Sequence, residues 1–137
     1  MSNAYFGRRY MFSASHRLNA ESLTAGQNLA AYGKCNNPHG HGHNYVLEVL
    51  VGGPVQQETG MVVNLVALDE AVRTTVLDRF DHTNLNLDPL FAATVPTTEN
   101  LCTAVFSLLK DQVPAGKLEH VRLEETENNF FQRFNLN

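Results

Sequence analysis

The sequence predicts an α+β domain with the element order ββααββ, an antiparallel four-stranded sheet with two helices behind it. Three observations carry this expectation. Alternating apolar and polar residues open the chain, apolar residues at helical spacing fill its middle, and alternation returns at its end. With 137 residues and no repeat, low-complexity tract or linker, the chain reads as one domain, 1–137.

The first strand is expected over Tyr5 to His16. Tyr10, Phe12, Ala14 and His16 share one face, and Met11, Ser13 and Ser15 the other. Arg17 to Gly40 is polar and rich in Asn, Gly and Ala, and reads as a long functional or mobile loop. His41 to Val51 follows as a second strand, with His41, His43, Tyr45, Leu47, Val49 and Val51 on one face; Gly52-Gly53-Pro54 ends it. Asn64 is a good N-cap for a helix striped by Leu65, Leu68, Val72 and Val76. Asp69 and Glu70 fall early in it, where the helix dipole favours acids.

A loop then runs from Phe80 to about Pro96. Thr97-Thr98 cap a second helix with Leu101, Val105, Leu108 and Leu109 as its apolar stripe, stopped by Pro114 and Gly116. Leu118 to Thr126 and Asn129 to Phe134 read as the last strands, with Asn128-Asn129 as the turn between them. Such a sheet has two open edges and one face without helices, a surface that another subunit usually completes.

Composition narrows the function classes. At 43% hydrophobic and 18% charged residues the chain reads as a soluble globular protein. No apolar run approaches the roughly 20 residues of a membrane span. The N-terminal residues show no signal-like apolar segment. Two cysteines cannot build a disulfide framework, so a reducing, cytoplasmic location is expected. A formal charge of −4 argues against a nucleic-acid partner but leaves room for a small anion held by a local basic cluster.

The strongest chemical signal is His41-Gly42-His43. Histidines at i and i+2 on a strand project from one face and can reach one ion. His16 ends the first strand, and hairpin pairing of the two strands would bring it to the same place. Three imidazoles leave one zinc position open, the layout of a catalytic site. The competing reading is a surface His-rich turn, or core histidines each bonded to backbone. His39 has the same parity as His41 and His43, so spacing alone does not choose the binding pair.

Cys35 lies in the polar segment Gly33-Lys34-Cys35-Asn36-Asn37-Pro38, beside Lys34 and near the expected cation. Both would lower its pKa, so it reads as a fourth ligand, a base or a nucleophile. Cys102, on the second helix's apolar stripe, reads as core packing. Asp81-His82 is either a carboxylate orienting an imidazole for proton transfer or an ordinary capping turn. Parity places Glu125 with Leu123 and Val121 on an apolar face, where a carboxylate needs partners. A ligand edge with two N–H donors, such as a pterin's, would supply them; solvent at a sheet edge is the alternative.

Together these pieces resemble the 6-pyruvoyltetrahydropterin synthase family, from about Tyr10 to Phe134. The matching stretches are Phe12 to Leu18, Gly33 to Pro38, His41 to Tyr45, Asp81 to Leu85, Pro96 to Asn100 and Glu125 to Asn129, in that order. The resemblance implies a tunnelling fold, in which ββααββ subunits close into a trimeric barrel and two trimers stack into a homohexamer. It implies Zn2+ on His16, His41 and His43, Cys35 as general base, and Asp81 with His82 as a relay reaching the site from a neighbouring subunit. It assigns Glu125 to the pterin ring, with the backbone at Thr97 and Thr98, and Glu99, completing the pocket.

The implied reaction converts 7,8-dihydroneopterin triphosphate into 6-pyruvoyltetrahydropterin and triphosphate, with neither membrane nor nucleic-acid partner. Five residues separate Cys35 from His41, which resembles the biopterin branch more than the 6-carboxy-tetrahydropterin branch of queuosine biosynthesis. A non-catalytic, zinc-stabilised pterin-binding oligomer and a zinc hydrolase remain the other readings.

Overall fold

In the computed structural model, which describes residues 3–114 and 116–136, a five-stranded sheet backs onto helices, its strands in the spatial order Thr83–Asn84 (β3), Asn3–His16 (β1), His41–Pro54 (β2), Lys117–Glu124 (β4) and Phe130–Phe134 (β5). Strand β1 spans Asn3–His16 and pairs antiparallel with β2, His41–Pro54, along its whole length. Strand β2 pairs in turn with β4, Lys117–Glu124, and β4 with β5, Phe130–Phe134. The expected alternation holds: Phe12, Ala14, Tyr45, Leu47, Val49, Val51, Val121 and Leu123 are all buried on the inner face.

Two expectations about the sheet and loops need correction. The sheet has five strands because Thr83–Asn84, β3, pairs parallel with Ala14 and Ser15 at the free edge of β1. The stretch from Arg17 to Gly40 is not all loop. It contains α1, Ala25–Tyr32, and a 3₁₀ turn over Gly33–Asn36. The start of α1 is a capping box, in which Thr24 accepts from the Gln27 N–H and the Gln27 side chain accepts from the Thr24 N–H.

Helix α2, Leu65–Val72, begins at Asn64 as expected, with the Asn64 side chain accepting from the Ala67 N–H. It continues as a π-helical segment, Arg73–Leu77, and a last turn, α3, Asp78–Phe80. The wider turn lets Val76 and Phe80 both reach the core. Helix α4, Thr98–Leu109, lays Leu101, Val105, Phe106 and Leu109 against the sheet. Cys102 is buried there as expected, and burial pushes its thiol up to about 11.

Among the described residues no helix is long and apolar enough to cross a membrane. Among the described residues no helix lies over the outer face of the sheet. Tyr5 and Met11 are exposed on it, and Arg9, Glu48 and Arg122 form a ladder of ion pairs across it.

Candidate metal centre

Three imidazoles meet on the inner face at the end of the β1–β2 ladder. His16 is paired with His41 across the ladder, and His43 follows two residues along β2. Ligand atoms chosen one from each residue lie within 4.8 Å of one another. The ring of His16 is almost fully buried, and its Nδ1 lies 2.7 Å from the Pro96 carbonyl oxygen. A carbonyl only accepts, so Nδ1 carries the proton and Nε2 presents its lone pair to the cluster.

The pattern of unmet bonds tests whether a metal fits. The Nε2 atoms of His16 and His43 and both ring nitrogens of His41 are buried without a hydrogen-bond partner. Leaving such groups unpaired costs about 1–3 kcal/mol each. Burial also holds His16 and His43 below the ordinary imidazole pKa, against the opposing pull of Glu125. Converging, unsatisfied imidazoles are the donor set that zinc takes. The residues fit the ion, and the alternative of histidines each bonded to backbone fails for these four unpaired nitrogens.

His39 is outside the cluster. Gly40 adopts φ +74°, which breaks the strand alternation, and His39 lies exposed in the turn before β2. Any side chain at position 40 would also crowd the His16 carbonyl, 3.2 Å from an added Cβ.

Glu125 faces the imidazoles. The strand β4 stops at Glu124, one residue before it, yet the side chain keeps to the inner face, with 15% of it exposed. Its backbone N–H donates to the Asn129 carbonyl at 3.0 Å, which folds the chain over at this point. Oε2 lies 3.7 Å from His43 Nε2 and 3.8 Å from His16 Nε2. That same oxygen accepts a short hydrogen bond from the hydroxyl of buried Thr98. The solvent-edge reading of Glu125 is therefore excluded.

Thr97 is the N-cap of α4, its hydroxyl accepting from the Asn100 N–H at 3.2 Å, and Glu99 is exposed in the first turn. The sequence places Tyr45 on the strand face of His41 and His43 without giving it a role. Its fully buried hydroxyl stands beside Thr98 and Glu125, and burial raises its pKa, so it is neutral.

Cys35 sits in the 3₁₀ turn, half-buried. The turn is stitched to the chain just beyond His16: Leu18 N–H donates to the Cys35 carbonyl at 2.9 Å, and Arg17 Nε to the Asn36 carbonyl at 3.1 Å. Burial, and then the Glu125 carboxylate, push the thiol up, against the lowering expected from Lys34 and a nearby cation. Cys35 lies outside the group of three possible metal donors.

Asp81 and His82 form a pair, Asp81 Oδ1 lying 2.9 Å from His82 Nδ1. Neighbouring side chains reach each other here because His82 adopts φ +60°, rare for a residue with a Cβ. The backbone N–H of Ser13 donates to the same Asp81 oxygen at 2.8 Å and is the main cause of a lowered Asp81 pKa. His82 donates its own N–H to the Ser13 carbonyl. Its ring is 83% exposed and lines a hollow of about 410 Å³ with Ser13, Ser15, Gly42 and Asn44. The chain thus brings His16, His41, His43, Glu125 and Thr98 together and leaves His82 at the β1 edge.

The family described as 6-pyruvoyl tetrahydropterin synthase matches residues 5–135 of this chain. The 6-pyruvoyl tetrahydrobiopterin synthase of Homo sapiens is 45% identical over 127 residues, covering 92% of this chain and 88% of that protein. Its Drosophila melanogaster namesake is 44% identical over 128 residues, covering 92% and 76%. The solved structure of Caenorhabditis elegans 6-pyruvoyl tetrahydropterin synthase superposes with a TM-score of 0.93 at 39% identity, covering 98% of this chain and 97% of that one.

Proposed function

The chain belongs to the 6-pyruvoyl tetrahydropterin synthase family, and on that premise we propose that it converts 7,8-dihydroneopterin triphosphate into 6-pyruvoyltetrahydropterin with release of triphosphate. The observation that carries the reading is the set of unpaired imidazole nitrogens facing the Glu125 carboxylate. His16, His41 and His43 would hold Zn2+, and a bound zinc supplies Lewis-acid polarisation of the substrate's side-chain oxygens.

The remaining steps fall to the chain's own groups. Glu125 accepts two N–H bonds from the pterin edge, a charge-assisted bidentate contact. Cys35 takes a proton from a side-chain carbon; its raised pKa makes the thiolate a strong base once formed. Asp81 fixes the tautomer of His82 through Nδ1, leaving Nε2 to move the second proton. Loss of triphosphate and internal redox need no external oxidant. Since His82 stands at the sheet edge, the relay would act on a neighbouring subunit's site in a cytoplasmic homohexamer built from two trimers.

The runner-up product is 6-carboxy-tetrahydropterin. The spacing from Cys35 to His41 and the names of the 44–45% identical relatives favour the pyruvoyl product. Incubation of the zinc-loaded protein with 7,8-dihydroneopterin triphosphate, with products identified by mass, tests the reading. Release of triphosphate with the pyruvoyl compound supports it. A carboxypterin, a dephosphorylated pterin, or unchanged bound substrate would select the carboxy branch, the hydrolase and the non-catalytic binder respectively.

A further inference from the structure

We infer that the Thr98 hydroxyl decides what Glu125 does: it holds the carboxylate back from the metal centre as a ligand-recognising group and so keeps the fourth metal position open. The inference rests on the proposed use of Glu125 and goes beyond it, to a positioning residue acting through that carboxylate.

Glu125 is placed ambiguously by distance alone. Its Oε2 is 3.7 Å from His43 Nε2 and 3.8 Å from His16 Nε2, close beside the nitrogens that would carry the ion. A carboxylate is a good zinc ligand, and three histidines with one carboxylate would close the tetrahedron. What opposes this move is a single bond: Thr98 donates its only O–H to Oε2. Thr98 is 2% exposed at the first turn of α4, so its hydroxyl has no water to turn to and its position is set by the helix.

The helix itself is anchored at the metal centre from both sides. The Pro96 carbonyl, two residues before Thr98, accepts a hydrogen bond from His16 Nδ1, and Thr97 caps α4. One short segment therefore orients a metal ligand through its backbone and restrains Glu125 through a side chain. Tyr45 flanks the Thr98 oxygen from β2 with its buried hydroxyl.

The two possible roles of Glu125 oppose each other, and this makes the inference testable. Thr98→Val keeps the shape and removes the donor. It should bind zinc more tightly, by about tenfold in competition with a chelator, because Glu125 is released to the ion. It should bind 7,8-dihydroneopterin more weakly, by about tenfold, the change expected for losing a hydrogen bond to a charged group. Thr98→Ser retains the donor and should match the parent in both.

Damage to the helix start would instead weaken zinc and pterin together. An unchanged or weakened zinc affinity in Thr98→Val, or an unchanged pterin affinity, overturns the inference. Should that variant not fold, Thr98→Ala carries the same two expectations. Cobalt loaded in place of zinc gives a visible band whose change in Thr98→Val, but not Thr98→Ser, marks the added carboxylate. If the parent protein binds no pterin, the proposed function fails, while the zinc and cobalt measurements still judge the role of Thr98.

Discussion

The Nδ1 atom of His16 lies 2.7 Å from the backbone carbonyl oxygen of Pro96. This bond selects the tautomer in which Nε2 is unprotonated, and it ties the start of α4 to the end of β1. A metal ligand oriented in this way needs no reorganisation when the ion arrives. We expect one zinc per chain. His16→Ala, His41→Ala or His43→Ala should each lose most of the metal while the chain still folds. Chelation should lower the melting temperature of the parent, because the ion binds only the folded form. Full zinc occupancy in His16→Ala by metal analysis would remove His16 from the ligand set, and metal loss in His39→Ala would bring His39 into it.

The metal-free protein should lose stability in a defined pH range. His16 and His43 are held below their ordinary pKa in the folded chain, chiefly by burial. An unfolded histidine titrates near pH 6.5. Below that pH the unfolded state binds the extra protons, so stability is full above about pH 6.5 and falls as the pH drops toward 5. Asp81 and Asp88 have lowered pKa values, so the stability they contribute is present throughout this range and is lost only at more acidic pH. A urea midpoint that stays level between pH 7.5 and 5.5 would contradict burial of neutral imidazoles, and His16→Gln should flatten the fall.

Glu125→Gln removes a charged acceptor without changing shape. Pterin binding should weaken by roughly 1.5–3 kcal/mol, the range for hydrogen bonds to charged groups. Zinc content should be unaffected. Calorimetry with a pterin inhibitor reads this directly, and an unchanged affinity would take Glu125 out of the pterin pocket.

The parts of this site that were legible in the sequence are those fixed by strand periodicity. His16, His41 and His43 share a face because each side chain sits at even spacing on a paired strand, and β1 and β2 pair over their whole length. Glu125 obeyed the same parity even one residue past the end of β4. Tertiary neighbours were not legible. Thr98 and Glu125 are 27 residues apart, and nothing local reports their bond. For Cys35 the sequence offers Lys34 and an expected cation, whereas the carboxylate that acts on it arrives from the far end of the chain.

Helix α1 left a local trace, since Thr24 and Gln27 have the spacing of a capping box, but the polar composition around them hid it. The two-residue strand β3 and the π-turn over Arg73–Leu77 leave none. One depends on pairing with the β1 edge, and the other on the core taking both Val76 and Phe80.

The open sheet should be closed by copies of itself. Among the described residues, strand β1 pairs on its outer edge with β3 at Ala14 and Ser15, next to the Asp81–His82 contacts of Ser13, and β5 ends the sheet on the other side. Unpaired edges and an outer face exposing Tyr5 and Met11 favour association. Light scattering at micromolar concentration should give about six times 15.2 kDa. A stable monomer would contradict both the barrel and a shared site.

The most demanding prediction concerns Cys35 and His82, which would act on one substrate from different chains. Within the chain, Cys35 is stitched to the segment beyond His16, while the exposed His82 ring lines a hollow over the opposite face of β1 with Ser13 and Ser15. Cys35→Ala and His82→Ala should therefore each be nearly inactive alone, with normal zinc content. Mixed and reassembled, they should regain part of the activity, because some interfaces then pair an intact Cys35 with an intact His82. Loss of zinc in Cys35→Ala would make the thiol a fourth ligand. No recovery after confirmed subunit exchange would mean that both groups serve the same chain's site, and the hollow beside His82 would then have to be reached by a movement of the Asp81–His82 turn within one subunit.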